Sequence, residues 1–144
     1  MDDSGHWYDD VRTGDVFSRS ITITDTHLVL GAGLIGDFNP HHVNDEYAKG
    51  LRFGTRILHG MMTSALMGAA VGMYFHGTAV AYLEHRRLEP GRVGDTLTTT
   101  WTVTGRHDKP KHGGGVVTLE GVCRDQHGTV VAEADAKMLV QARA

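Results

Sequence analysis

Residues 36–42 read Gly-Asp-Phe-Asn-Pro-His-His, which sets the Asp37 carboxylate and the His42 imidazole five positions apart around a proline. A carboxylate and an imidazole that share one water are sufficient to move protons on and off a substrate. The same segment also reads as ordinary turn chemistry, because Asp and Asn bond nearby backbone and Pro presets φ. Its apolar flanks favour chemistry. A buried Asp beside a His is expected to pair or to catalyse. A second feature, Ile57-Leu58-His59-Gly60-Met61-Met62, follows about twenty residues later at the start of a helix. The free N–H groups of a helix N-terminus suit an oxygen that gains negative charge.

These residues need elements to hold them. Weak alternation over residues 19–24 predicts a strand. Thr24 can cap a following helix with its hydroxyl, and Asp25 suits the first turn. That helix runs through Leu28, Leu30 and Leu34 towards Gly36, and Asn39-Pro40 breaks it. Asn44 or Asp45 caps a short helix that stops at Gly50. Residues 51–58 form a loop, and a thin, Gly- and Ala-rich helix spans about 61–75, suited to lying against a sheet. The second half is β-prone: residues 78–88, the Thr-rich run 96–104, then 116–124 and 130–140, with turns at Gly94-Asp95 and His127-Gly128. One long buried helix with an antiparallel sheet of four or five strands is an α+β fold.

Composition narrows the function. The chain has 144 residues, which is one domain. A net charge of −3 argues against a nucleic-acid partner. Acids outnumber bases nine to three in residues 1–50, whereas bases outnumber acids five to three in residues 51–100. A phosphate-bearing substrate therefore prefers the later part. Met1–His6 shows no signal-peptide pattern, and the apolar run 61–75 is too short for a bilayer span, so a cytoplasmic protein without a membrane partner is expected. Cys123 is the single cysteine and no His-Glu-x-x-His occurs, so neither a thiolate nor a zincin site is expected; no metal or cofactor is assigned.

Gly36-Asp37-Phe38-Asn39-Pro40-His41-His42 followed by His59-Gly60-Met61 resembles the two-part motif of the MaoC-like hydratases, which include the (R)-specific enoyl-CoA hydratases and 3-hydroxyacyl dehydratases. Tyr47-Ala48, Arg52-Phe53-Gly54 and the turn Glu89–Thr96 also look like that family, so the likeness spans about residues 16–140 of a single domain 1–144. The resemblance implies a hot dog fold, a long helix wrapped by a curved antiparallel sheet, and a homodimer or larger assembly with the pocket near the interface. It implies reversible addition of water to the 2,3-double bond of an enoyl thioester, carried by CoA or by an acyl carrier protein, to give the (R)-3-hydroxyacyl product. In that pattern Asp37 is the main acid/base, His42 orients the water, and the Gly60 N–H binds the thioester oxygen. Asn39 braces the turn. Many relatives carry a serine eight residues after this glycine; here Gly68 stands there, and Ser64 is the candidate substitute.

Other candidates weigh less. His41 fills the variable motif position and is expected at the surface, His59 shapes the helix start, and His107 and His112 fall in a polar loop. Met61, Met62, Met67 and Met73 are core residues or line an acyl tunnel. Arg52, Arg56, Arg86, Arg87, Lys109 and Lys111 are candidates for CoA phosphates, with a solvated face as the alternative for each. Two other functions stay open: a hot dog thioesterase, and a non-catalytic acyl-thioester-binding subunit.

Overall fold

A computed structural model describes residues 5–143, the side chains of 78–81 excepted. Residues 1–4, on which the N-terminal reading partly rests, lie outside the described residues. The elements run β1 (Val16–Thr22), α1 (Asp25–Ile35), α2 (Pro40–Val43), α3 (Asp45–Lys49), α4 (Gly60–Tyr74), β2 (Gly77–Leu88), β3 (Thr96–Lys109), a 3-10 turn at Pro110–His112, β4 (Gly114–Arg124) and β5 (Val130–Gln141). The strands make one antiparallel sheet in the order β1-β3-β4-β5-β2. Helix α4 lies on it and touches β1, β2, β3 and β5, which is the hot dog arrangement expected from the sequence.

The threonine run has a two-sided logic. Along β3, Leu97, Thr99, Trp101 and Val103 face the core, as the period of two requires. The intervening threonines face outward and meet β1 hydroxyl to hydroxyl: Ser18 with Thr100, Ser20 with Thr98 and Thr22 with Thr96, at 2.8, 2.7 and 2.8 Å. Such cross-strand pairs fix register. On the inner face Trp101 is fully buried, and its indole N–H donates to the Met67 carbonyl of α4 at 3.1 Å. Gly121, its cross-strand neighbour, leaves room for the ring: a Cβ there would come within 2.5 Å of it.

Three local expectations change. Pro40 does not simply break helix; it opens α2 at the first helical position, where its missing N–H costs nothing. The β3–β4 strands are longer than expected and take up most of the polar loop that holds His107. At Thr24, the cap is reciprocal rather than one-sided: the Thr24 side chain faces the first-turn backbone N–H of His27, and the Thr24 N–H donates back to His27 Nδ1 at 3.0 Å. Among the described residues, no helix is long and apolar enough to cross a membrane.

Candidate functional site

The turn that carries Asp37 is built from its own sequence. Gly36 closes α1 at φ 74, a left-handed conformation that glycine adopts without strain. The Asn39 N–H then donates to Asp37 Oδ1 at 3.1 Å, and Asn39 Oδ1 accepts from the His41 N–H at 3.4 Å to cap α2. Asn39 thus ties the Asp37 carboxylate to the start of α2. Asp37 Oδ1 is engaged by backbone, and Oδ2 remains to face His42 Nε2 at 3.5 Å.

His42 is held from the other side. Its Nδ1 lies 2.7 Å from the Ile57 carbonyl. A carbonyl only accepts, so Nδ1 carries the proton and Nε2 of the neutral ring, 3.5 Å from Asp37 Oδ2, carries the lone pair. The His41 Nε2–H, 2.8 Å away, donates to that lone pair. His41 is therefore half-buried and engaged, not simply a surface residue. Burial holds the His42 pKa below its ordinary value of 6.5. His59 and His41 push the same way, while the Ile57 carbonyl and Asp37 push against it. His42 is the buried partner at 5% exposure, whereas the Asp37 side chain is 49% exposed in the single chain. The expectation of a buried aspartate is corrected: the α1–α2 connection lies at the surface, and the neighbouring Leu34 and Phe38 side chains point outward rather than over it.

His59 does more than shape a helix start. It is the N-cap residue of α4, is 1% exposed, and stacks on His42 with ring centres 3.7 Å apart. Its Nε2–H donates to the Asp37 carbonyl at 2.9 Å, tying the Asp37 turn to α4. Its Nδ1 faces α1, where a Cβ on Gly31 would come within 3.1 Å. The sequence signal for this was Gly31 itself, a glycine inside a helix where something must approach closely. Donor atoms of Asp37, His42 and His59 lie within 4.8 Å of one another, an N/O set of the kind divalent metals accept. His59 Nε2 is committed to the Asp37 carbonyl and Nδ1 faces Gly31.

Gly60 is the first residue of α4, and its N–H lies ahead of the helix's internal bonds: the His59 carbonyl accepts from Met62 and Thr63. A Cβ at Gly60 would meet Leu88 Cδ2 at 3.2 Å, so the β2 end closes over this turn. Ser64, one turn later, does not reach Asp37. Its hydroxyl pairs with His85 Nε2 of β2 at 2.7 Å, and Gly68 packs towards Leu83. Among the methionines, Met67 is fully buried while Met61 and Met73 are exposed. Cys123 is a buried free thiol, as expected.

The cation candidates separate. Arg56 bridges Asp25 of α1 and Asp45 of α3 at 2.5 and 2.7 Å, and Arg86 pairs with Asp135 at 3.2 Å. Lys109 and Lys111 sit at the far end of the β3–β4 hairpin. Arg52 and Arg87 converge on one pocket, joined by Arg92 and His127, which sequence reasoning did not single out.

The profile described as MaoC like domain matches residues 11–122. The chain is 37% identical over 140 residues to the (R)-specific enoyl-CoA hydratase of Rhodospirillum rubrum, covering 96% of this chain and 94% of that protein. The unliganded R-hydratase PhaJ1 from Pseudomonas aeruginosa superposes with a TM-score of 0.84 at 27% identity, covering 95% of this chain and 86% of that one. The (R)-hydratase from A. caviae, described as involved in PHA biosynthesis, gives 0.79 at 26% identity over 90% and 97% of the two chains.

Proposed function

Because the chain belongs to the MaoC-like dehydratase family, we propose that it is a hydro-lyase, a single hot dog domain that adds water reversibly to the 2,3-double bond of an enoyl thioester and yields the (R)-3-hydroxyacyl product. The observation that carries this reading is the Asp37–His42 pair, with Oδ2 facing a Nε2 whose lone pair is fixed by the Ile57 carbonyl.

In this mechanism a water replaces the His41 N–H at His42 Nε2. One of its O–H bonds donates to Nε2, which orients it, and the other donates to Asp37 Oδ2. As the water oxygen bonds to C3, Asp37 takes its proton, and electron density moves to the thioester oxygen. The Gly60 N–H accommodates that charge, an interaction worth on the order of 3 kcal/mol in comparable sites. The protonated Asp37 then delivers its proton to C2, so the net change is one water added. Dehydration runs the same steps backwards. His59 holds the Asp37 backbone, and Asn39 holds its second carboxylate oxygen.

We propose further that the protein acts as a homodimer or larger assembly. β2 ends the sheet, and Leu34, Phe38 and Met61, all exposed in the single chain, surround the turn and the α4 start. A second copy would bury them and dry the Asp37 carboxylate. Light scattering on a sizing column tests this; a strict monomer that is fully active overturns it.

The direct test offers trans-2-enoyl-CoAs of graded length and branching and follows loss of the conjugated-thioester absorbance. An (R)-specific 3-hydroxyacyl dehydrogenase reads the product's configuration. Hydration is expected. Release of free CoA without hydration would mark a thioesterase instead, and binding without any turnover would mark a non-catalytic subunit.

A further inference from the structure

We infer that the Ser64–His85 pair, which joins α4 to β2, donates a hydrogen bond to an oxygen on the acyl chain, so that the preferred substrate is an enoyl thioester bearing a hydroxyl or oxo group a few carbons beyond the double bond rather than a plain hydrocarbon chain; this rests on the hydratase reading above.

The pair is a polar interruption in an apolar seam. Gly60, Ser64 and Gly68 follow one another at intervals of one helical turn along α4. Across from them on β2 stand Leu88, His85 and Leu83. A Cβ at Gly60 would meet Leu88 at 3.2 Å and one at Gly68 would meet Leu83 at 3.7 Å, whereas Ser64 Oγ lies 2.7 Å from His85 Nε2. Within the sheet, His85 is paired with Ala134 and Leu83 with Ala136, both buried. The register of β2 slips between His85 and Arg87, an irregularity of the kind that re-aims side chains beside functional sites.

This pair holds one hydrogen more than it uses. Serine and neutral imidazole bring an O–H and an N–H, and the bond between them takes one of the two. If the serine donates, the remaining hydrogen sits on His85 Nδ1, which is buried and has no partner among the described residues. If Nε2 donates, the serine O–H is left over, and Ser64 has no second partner among the described residues. An unsatisfied donor in such a place is costly, and an acceptor oxygen brought by the ligand completes it. Burial also holds the His85 pKa below its ordinary value of 6.5, so the pair is uncharged near neutral pH and suits an uncharged oxygen rather than a carboxylate.

Position assigns that oxygen to the acyl chain. The Gly60 N–H faces out of the start of α4, and Ser64 lies one turn, about 5 Å, further along the helix, level with an oxygen on about C5 of the chain. The pair stands between α4 and β2 beside buried alanines of β5. The apolar end of the substrate is the end that belongs there, while the carrier leads out to solvent.

Matched substrates test this: trans-2-hexenoyl-CoA against its 5-hydroxy and 5-oxo counterparts. The wild type is expected to favour the oxygenated chains by about tenfold in kcat/KM. Ser64→Ala with His85→Leu should bring that ratio to one or below, chiefly through lost rate on the oxygenated chains. Thermal unfolding checks the fold of the double variant, and Ser64→Ala with His85→Met, whose flexible thioether packs more tolerantly, replaces it if it does not fold. Calorimetry with hexanoyl-CoA and 5-hydroxyhexanoyl-CoA repeats the comparison without turnover. Equal use of the three substrates by the wild type, a preference for the plain chain, or a ratio that survives the double variant would each overturn the inference. Equal loss on all three substrates would mark a structural tie between α4 and β2, and overturns it too. If the hydroxylated ligand binds more tightly and the double variant abolishes that difference, yet no enoyl thioester is hydrated, the hydratase reading fails while the oxygen site stands.

Discussion

His42 Nε2 and Asp37 Oδ2 face one another across 3.5 Å, and the far nitrogen of the same imidazole is committed to the Ile57 carbonyl at 2.7 Å. That one carbonyl decides which nitrogen of His42 is basic. It comes from the loop leading into α4, fifteen residues away in the chain, so the Asp37–His42 turn and the helix start are assembled as a unit.

Asp37→Asn removes the proton acceptor and keeps the shape, and His42→Ala removes the lone pair that orients the water. Each variant is expected to lose kcat by about 10²–10⁴-fold, the range for a positioned acid/base group. Circular dichroism and thermal unfolding should show an intact fold for Asp37→Asn, because that side chain is half-exposed. Hydration at near-normal rates by either variant would remove the pair from the mechanism.

The oxyanion role proposed for Gly60 can be isolated. His59 sits at φ −57, ψ 135, the conformation preferred before a proline, and Gly60 is the first helical position, where proline is favoured. Gly60→Pro therefore deletes the N–H with little demand on the backbone, although Leu88 must give slightly. The expected loss is about 10²–10³-fold in kcat. Gly60→Ala keeps the N–H and should retain most of the rate; equal rates in the two variants would exclude the N–H from catalysis.

The acid limb of the pH–rate profile should fall below the ordinary imidazole range. Burial, with His59 and His41 adding to it, holds His42 below 6.5, so its lone pair persists as pH drops past that value. Stability moves in the same window. Burial also lowers the pKa of His85, so the unfolded chain binds protons at both positions before the folded chain does. Stability is complete above about 6.5 and is lost as pH falls through the folded values. Denaturant midpoints at about pH 8 and about pH 5 should show this, and His85→Gln should flatten the difference. A slope unchanged in that variant would mean that His85 titrates normally.

Gly121→Ala should destabilise the protein by about 1–3 kcal/mol through overpacking, because the Trp101 ring lies 2.5 Å from the added carbon and is fixed by its bond to Met67. Urea midpoints measure it. A neutral result would show that the indole can shift freely between α4 and the sheet.

The conformation of the turn was legible because it is local. Gly36, Asp37, Asn39 and Pro40 determine their own conformation within five residues, through a left-handed cap, a side-chain bond to the backbone and a fixed φ. The alternation in β3 and the small-residue helix are likewise period effects that a sequence displays directly. The hydrophobic pattern and turn residues therefore determined the elements, and with them the fold class.

What the tertiary structure decided are the partners that chain order hides. Sheet order β1-β3-β4-β5-β2 puts the last strand in sequence beside the second, and carries Arg87 and Arg92 to the hairpin that bears His127. Packing of α1 on the α4 start turned His59 into the clamp on Asp37, and led Ser64 to His85 instead of the carboxylate. Exposure of Asp37 followed from the same packing. Hydrogen bonds and ion pairs depend on distances of a few ångströms between segments far apart in the chain, and no pattern of residue types along the chain specifies those.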